Sequence, residues 1–112
     1  MLTNNEKLNR LLPEIEKKIR ESFGEKVTKI ILFGSFARGD YHKYSDVDIL
    51  VIVDDEDLIK YRKKRPDIIL DIINKYDLFL SIRIVKARIF NSYREISGFY
   101  SDVIKEGLII YG

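Results

Sequence analysis

The chain has 112 residues, no cysteine, one histidine and a formal net charge of +2 from 20 basic and 18 acidic residues, with 46% hydrophobic residues. That length and composition suit a single domain, 1–112, with a packed core, and exclude disulfides, thiolate zinc centres, cysteine nucleophiles and multi-histidine metal sites, so that a metal here would be held by oxygen, as Mg²⁺ is. The mixed charge carries no strong nucleic-acid signal, no apolar run approaches a membrane span, and "MLTNNEKLNR" lacks a signal-peptide core, which reads as a cytoplasmic protein.

Leu8, Leu11, Leu12, Ile15, Ile19 and Phe23 recur at helical spacing and predict an amphipathic helix over 4–22, ended by Gly24. Pro13 either kinks that helix or opens a second one. Residues 27–33, "VTKIILF", read as the first strand and 46–53, "DVDILVIV", as the second. Residues 54–76 carry helical signals, with Pro66 as a break or a fresh start. The third strand is read at 78–85, "LFLSIRIV". Helix follows over 87–106 with Ser97 as a cap, Gly107 as a stop and "LIIY" as a short last strand. Strands alternating with helices predict an α/β (α+β) domain, a small mixed sheet flanked by helices, without repeats or linkers.

Between the first two strands lies "FGSFARGDYHKYSDVD", residues 33–48. Gly34 directly after a strand permits positive φ and close approach of a ligand to the backbone. Ser35 adds a hydroxyl, and a short helix from Phe36 would present free amides to an anion, with Arg38 as an added cation. Asp46 and Asp48 are two residues apart on a strand, so they share a face. Two unpaired carboxylates side by side resist ionisation, and a divalent cation relieves both. Mg²⁺ is commonly held by one or two carboxylates plus substrate phosphates. The turn therefore fits a nucleotide's phosphates and the acids fit its metal.

"GS" followed by ten residues and "DVD" resembles the signature of the DNA polymerase β-like nucleotidyltransferase superfamily. The short chain, the "ARGD" and the ending "EGLIIYG" resemble its minimal nucleotidyltransferase branch. The resemblance implies the nucleotidyltransferase fold, binding of ATP or another NTP through Mg²⁺ (or Mn²⁺), and transfer of AMP to a hydroxyl acceptor. It also implies pairing with a HEPN-domain toxin, with this chain as antitoxin and a toxin tyrosine as a possible acceptor. Gly34 and Ser35 match the phosphate-binding pair, and Asp46 and Asp48 match the first two metal-binding carboxylates.

The family's third carboxylate, on the next core strand, is missing. The register expected for "LFLSIRIV" puts that position at Arg83, with Ser81 as second choice, and neither is an acid. Asp77 and Asp54 lie too far along their strands to substitute. Arg83 either sits at the surface or faces the site, where it would hold a phosphate or pair with Asp46 or Asp48. The alternative to an enzyme is therefore a catalytically weak or inactive nucleotide-binding antitoxin that neutralises its partner by binding. The basic run Lys60 to Arg65 reads as a solvated face near a helix C-terminus, His42 as an exposed loop residue, the seven tyrosines as packing and surface residues, and Phe99–Tyr100 as a possible partner interface.

Overall fold

The computed structural model describes residues 3–112. The elements in chain order are α1 (Glu6–Phe23), β1 (Val27–Phe33), α2 (Ser35–Arg38), β2 (Val47–Val53), α3 (Ile59–Tyr76), β3 (Leu80–Lys86), α4 (Ala87–Tyr93), α5 (Gly98–Glu106) and β4 (Leu108–Tyr111). The strands form one sheet in the order β3-β2-β1-β4. β1 pairs antiparallel with β2 and β4, and β2 pairs parallel with β3, so the sheet is mixed.

Six of the seven residues of β2 are buried because the strand is central and covered on both faces. Val47, Ile49, Val51 and Val53 face one way and pack with Leu8, Leu12, Ile15 and Ile19 of α1 and Ile68 and Ile72 of α3. Leu50 and Ile52 face the other way, with Ile31, Val85, Phe90 and Val103, under α4 and α5. Each fully buried Leu or Ile contributes about 1.5–3 kcal/mol, so the face carrying α1 and α3 holds most of the stabilisation. Lys7 Nζ donates to Tyr76 O and Lys64 Nζ to Ser22 O, both at 2.9 Å, which sets α1 and α3 antiparallel.

Neither proline ends a helix. Pro13 lies inside α1 and Pro66 inside α3, both on exposed faces. Each forfeits one backbone bond, but the apolar residues on either side are buried and outweigh it. α3 starts at Ile59 rather than in the acidic stretch, because the acids hold the turn before it. Asp55 Oδ1 accepts from Asp57 N–H and Asp57 Oδ1 from Ile59 N–H, both at 3.0 Å. Lys60–Arg65 consequently lies in the first half of α3, not near a helix C-terminus. The last helical region is two helices, divided where Ser97 restarts the chain by accepting from Tyr100 N–H at 3.3 Å. β3 begins two residues later than expected, and Asp46 sits just before β2.

Candidate functional site

β1 delivers its last residue, Phe33, opposite Asp48 of β2. The chain turns at once through Gly34, φ +76°, into α2, whose first intrahelical bond runs from Arg38 N–H to Gly34 O at 3.0 Å. The amides ahead of that bond are the free donors of a helix start. A Cβ at Gly34 would collide with Asp48 Oδ2. Glycine is therefore required twice, for the left-handed backbone and for the carboxylate lying against its Cα. A side chain here would therefore displace Asp48 as well as block an approaching phosphate. Phe36 of α2 stacks on Tyr41 beyond it, with ring centroids 4.4 Å apart, and this fixes the path of the loop toward Asp46.

Asp48 is half-buried and Asp46 exposed. Burial first, and the Asp46 charge second, push the Asp48 carboxyl above the usual carboxylate range, while Arg83 and Arg38 pull it back. The Asp46 charge thus reaches Asp48 from just before the strand rather than from within it. A cavity of about 380 Å³ opens beside Asp48, lined by Gly34, Ser35, Arg38, Asp48, Phe33 and, from α5, Phe99, Asp102, Val103 and Glu106, while Asp46 is not part of its lining. Of these α5 residues the sequence singles out only Phe99, as part of a partner interface, and not Asp102, Val103 or Glu106. Their spacing of three, four and seven residues marks one helix face, which is the signal that was there to find.

Arg38 lines the cavity but is engaged by carboxylates, Nε to Asp40 Oδ2 at 3.1 Å and Nη1 to Glu106 Oε2 at 3.5 Å. On β3, Ser81 pairs with Asp48 and Arg83 with Leu50. Both β3 residues share the Asp48 face, and it is Ser81, the second choice from sequence, that stands level with Asp48. Arg83 is exposed rather than desolvated, and it makes no ion pair with Asp46 or Asp48. Its guanidinium lies over the Phe99 ring, 4.9 Å from the centroid, and lines a neighbouring cavity that shares Phe99 with the Gly34–Asp48 one. Among the described residues no group of three or more acidic, histidine or cysteine side chains is arranged to hold a metal.

His42 is exposed, and its Nδ1 accepts from Tyr44 N–H at 3.2 Å. Asp54 lies just beyond the opposite end of β2, and Asp77 caps α3 in a left-handed conformation. Neither lines the cavity. No helix of the described residues is long and apolar enough to cross a membrane.

A family model for the nucleotidyltransferase domain matches residues 12–110. Two similar proteins of Methanocaldococcus jannaschii are "Putative protein adenylyltransferase MJ1305", 38% identical over 93% of this chain and 71% of the relative, and "Putative protein adenylyltransferase MJ0141", 37% identical over 74% and 84%. Among solved structures, a toxin–antitoxin with AMP-PNP aligns with a TM-score of 0.59 at 23% identity, over 88% of this chain and 72% of that one. A tri-AMPylated Shewanella oneidensis HEPN toxin in complex with MNT antitoxin aligns with a TM-score of 0.50 at 21% identity, over 92% and 71%. At those identities the structural likeness is one of fold, and the mixed sheet with its flanking helices is that of these nucleotidyltransferase-type chains.

Proposed function

Because this chain belongs to the nucleotidyltransferase-domain family, we propose that it transfers AMP from Mg·ATP to a hydroxyl acceptor, a tyrosine of a HEPN-domain partner, and so acts as an antitoxin. One observation carries the reading: the Asp48 carboxylate lies against Gly34 Cα at the wall of the cavity that Ser35 and Arg38 also line. A single ligand that engages both the turn and the acid accounts for their contact at one cavity wall.

The donor set fits a divalent cation. Asp48 resists ionisation because of burial and Asp46, and a cation beside both carboxylates removes that penalty. Two carboxylates suit one hard ion whose remaining positions are filled by substrate phosphates and water. When bound, Mg²⁺ (or Mn²⁺) would neutralise charge that builds up on the phosphates. Asp46 and Asp48 hold it. Ser35 and the first amides of α2 bind the phosphates, and Gly34 admits them to the backbone. Arg38 exchanges Asp40 or Glu106 for a phosphate oxygen. The AMP donor and protein acceptor are supported by the names of the M. jannaschii relatives. The HEPN partner and the antitoxin role are supported by the solved complexes of the same fold.

A second reading is favoured by a specific observation. The β3 residue level with Asp48 is a serine, and no third acid joins the pair. On that reading the chain binds nucleotide weakly or without turnover and neutralises its partner by covering it. The test is incubation with α-labelled ATP, Mg²⁺ and a HEPN-domain protein as acceptor. Label on a tyrosine, absent with Asp46→Asn/Asp48→Asn, is the expected result. A stable complex without label moves the account to the second reading.

A further inference from the structure

Next to the nucleotide cavity, with Phe99 lining both, is a second one of about 320 Å³, lined by Arg62, Arg65, Arg83, Leu50, Phe99 and Tyr100. Its three guanidiniums come from two elements. Arg62 and Arg65 are three residues apart on α3 and share a helix face. Arg83 rises from β3. Two of the three are held in place: Arg65 Nη1 donates to Ile82 O at 3.1 Å, and Arg83 rests on Phe99.

None of the three forms an ion pair among the described residues, whereas Arg20, Arg38 and Arg88 each pair with a carboxylate. Like charges gathered around a cavity repel. Here the chain's own acids relieve that cost only at a distance, through the attraction between Arg83 and Asp48, and no carboxylate closes onto the three among the described residues. Guanidinium groups bind carboxylates and phosphates bidentately, so the pocket is built for an oxyanion.

Its place relative to Asp48 indicates which one. Asp48 and Leu50 face the same way, and their β3 partners are Ser81 and Arg83. One strand step of two residues, about 7 Å, therefore separates the level of Asp48 from that of Arg83. An extended acceptor peptide covers that distance in about two residues. The nucleotide's own phosphates belong in the other cavity, with Gly34 and Ser35. A polynucleotide would call for a longer basic track than one pocket on a chain of net charge +2.

We propose that the Arg62–Arg65–Arg83 pocket binds an acidic side chain flanking the acceptor hydroxyl of a protein substrate, and so docks the acceptor beside the nucleotide site. This rests on the adenylyl-transfer reading above and names the class of its acceptor. Arg83 is then an acceptor-binding residue rather than a ligand of the nucleotide.

The test is fluorescence anisotropy with a labelled peptide carrying one tyrosine flanked by glutamates, alongside the same peptide with lysines and a single-stranded RNA of similar length. Mg·ATP affinity is measured by calorimetry on the same samples. The glutamate peptide should bind and the lysine peptide should not. Arg62→Glu should weaken peptide binding about tenfold or more, Arg62→Lys less, and neither should change Mg·ATP affinity, because Arg62 lies outside that cavity. Equal binding of the two peptides up to millimolar concentration, or indifference to Arg62→Glu in protein with an unchanged circular dichroism spectrum, overturns the proposal. Tighter, Arg62-dependent binding of the RNA overturns it too. Wild-type protein that binds the glutamate peptide but not Mg·ATP would support the pocket and overturn the nucleotidyl-transfer reading.

Discussion

The two faces of the sheet are built to different ends. The face under α1 and α3 is a continuous apolar layer in which Ile15, Ile19, Ile30, Leu32, Ile49 and Val51 are fully buried. The face under α4 and α5 buries only Ile31, Leu50, Ile52, Val85, Phe90 and Val103. Its remainder is charged or aromatic, with Asp48, Arg83 and Phe99 at the surface of two cavities. β2 serves both at once by alternation. Its odd positions stabilise the fold, and the even ones begin with an acid that burial and a like charge oppose. One strand thus spends, on one side, part of the stability it gathers on the other.

If that division is real, damage to the two faces should separate cleanly. The largest loss of stability should follow Ile49→Ala, which empties a fully buried site and should cost about 2–5 kcal/mol in chemical denaturation. The folded fraction should still bind Mg·ATP. Asp48→Asn should do the reverse. Loss of a metal carboxylate should remove several kcal/mol of transition-state stabilisation, about a hundredfold or more in the transfer rate, without lowering the melting temperature. The sign follows from the raised Asp48 pKa. In the ligand-free protein its stabilising contribution is complete below the ordinary carboxylate pKa and is lost as pH rises through the raised value. At neutral pH Asp48→Asn should therefore melt slightly higher than wild type and lose that pH step, as read by calorimetric scans across pH.

Gly34→Ala probes the seam between the faces. Left-handed backbone costs a residue with a Cβ about 1–2 kcal/mol, and the collision with Asp48 Oδ2 should also misplace the acid. Melting temperature and Mg·ATP affinity should fall together. Loss of affinity alone, as expected from a purely phosphate-blocking side chain, would show that Asp48 yields without cost. The smallest effect is the gain expected from Ser81→Asp. An acid level with Asp48 should raise Mg²⁺ affinity and the transfer rate severalfold, whereas Arg83→Asp, one step along the strand, should add less Mg²⁺ affinity and slow transfer to a protein acceptor, because it removes a cation that docks the acceptor. Isothermal titration and single-turnover labelling would rank the two.

How legible this was in the sequence depended on whether a feature is local. The "GS" turn and "DVD" could be assigned because a glycine after a strand and the period of a strand are properties of a few adjacent residues. Pro13 and Pro66 misled because their cost is local and what offsets it, burial of Ile15, Ile19 and Ile68 against the sheet, is not. The acids before α3 resembled a first helical turn, yet Asp55 and Asp57 use their side chains to bond the backbone of a turn. The pocket-lining face of α5 was written in the spacing of Phe99, Asp102, Val103 and Glu106, but only the sheet determines which helix face meets Asp48. The meeting of Arg62 and Arg65 with Arg83 needs the α3–β3 packing and has no local signal.

Titration of Mg·ATP into wild-type protein and into Asp46→Asn/Asp48→Asn, by calorimetry at neutral pH, addresses the central claim most directly. The claim is that the Gly34–Ser35 turn and the two acids form one nucleotide–metal site. Saturable wild-type binding that requires Mg²⁺ and disappears in the double variant, with its melting temperature maintained, is the predicted result. Undiminished Mg·ATP affinity in the double variant would contradict the account.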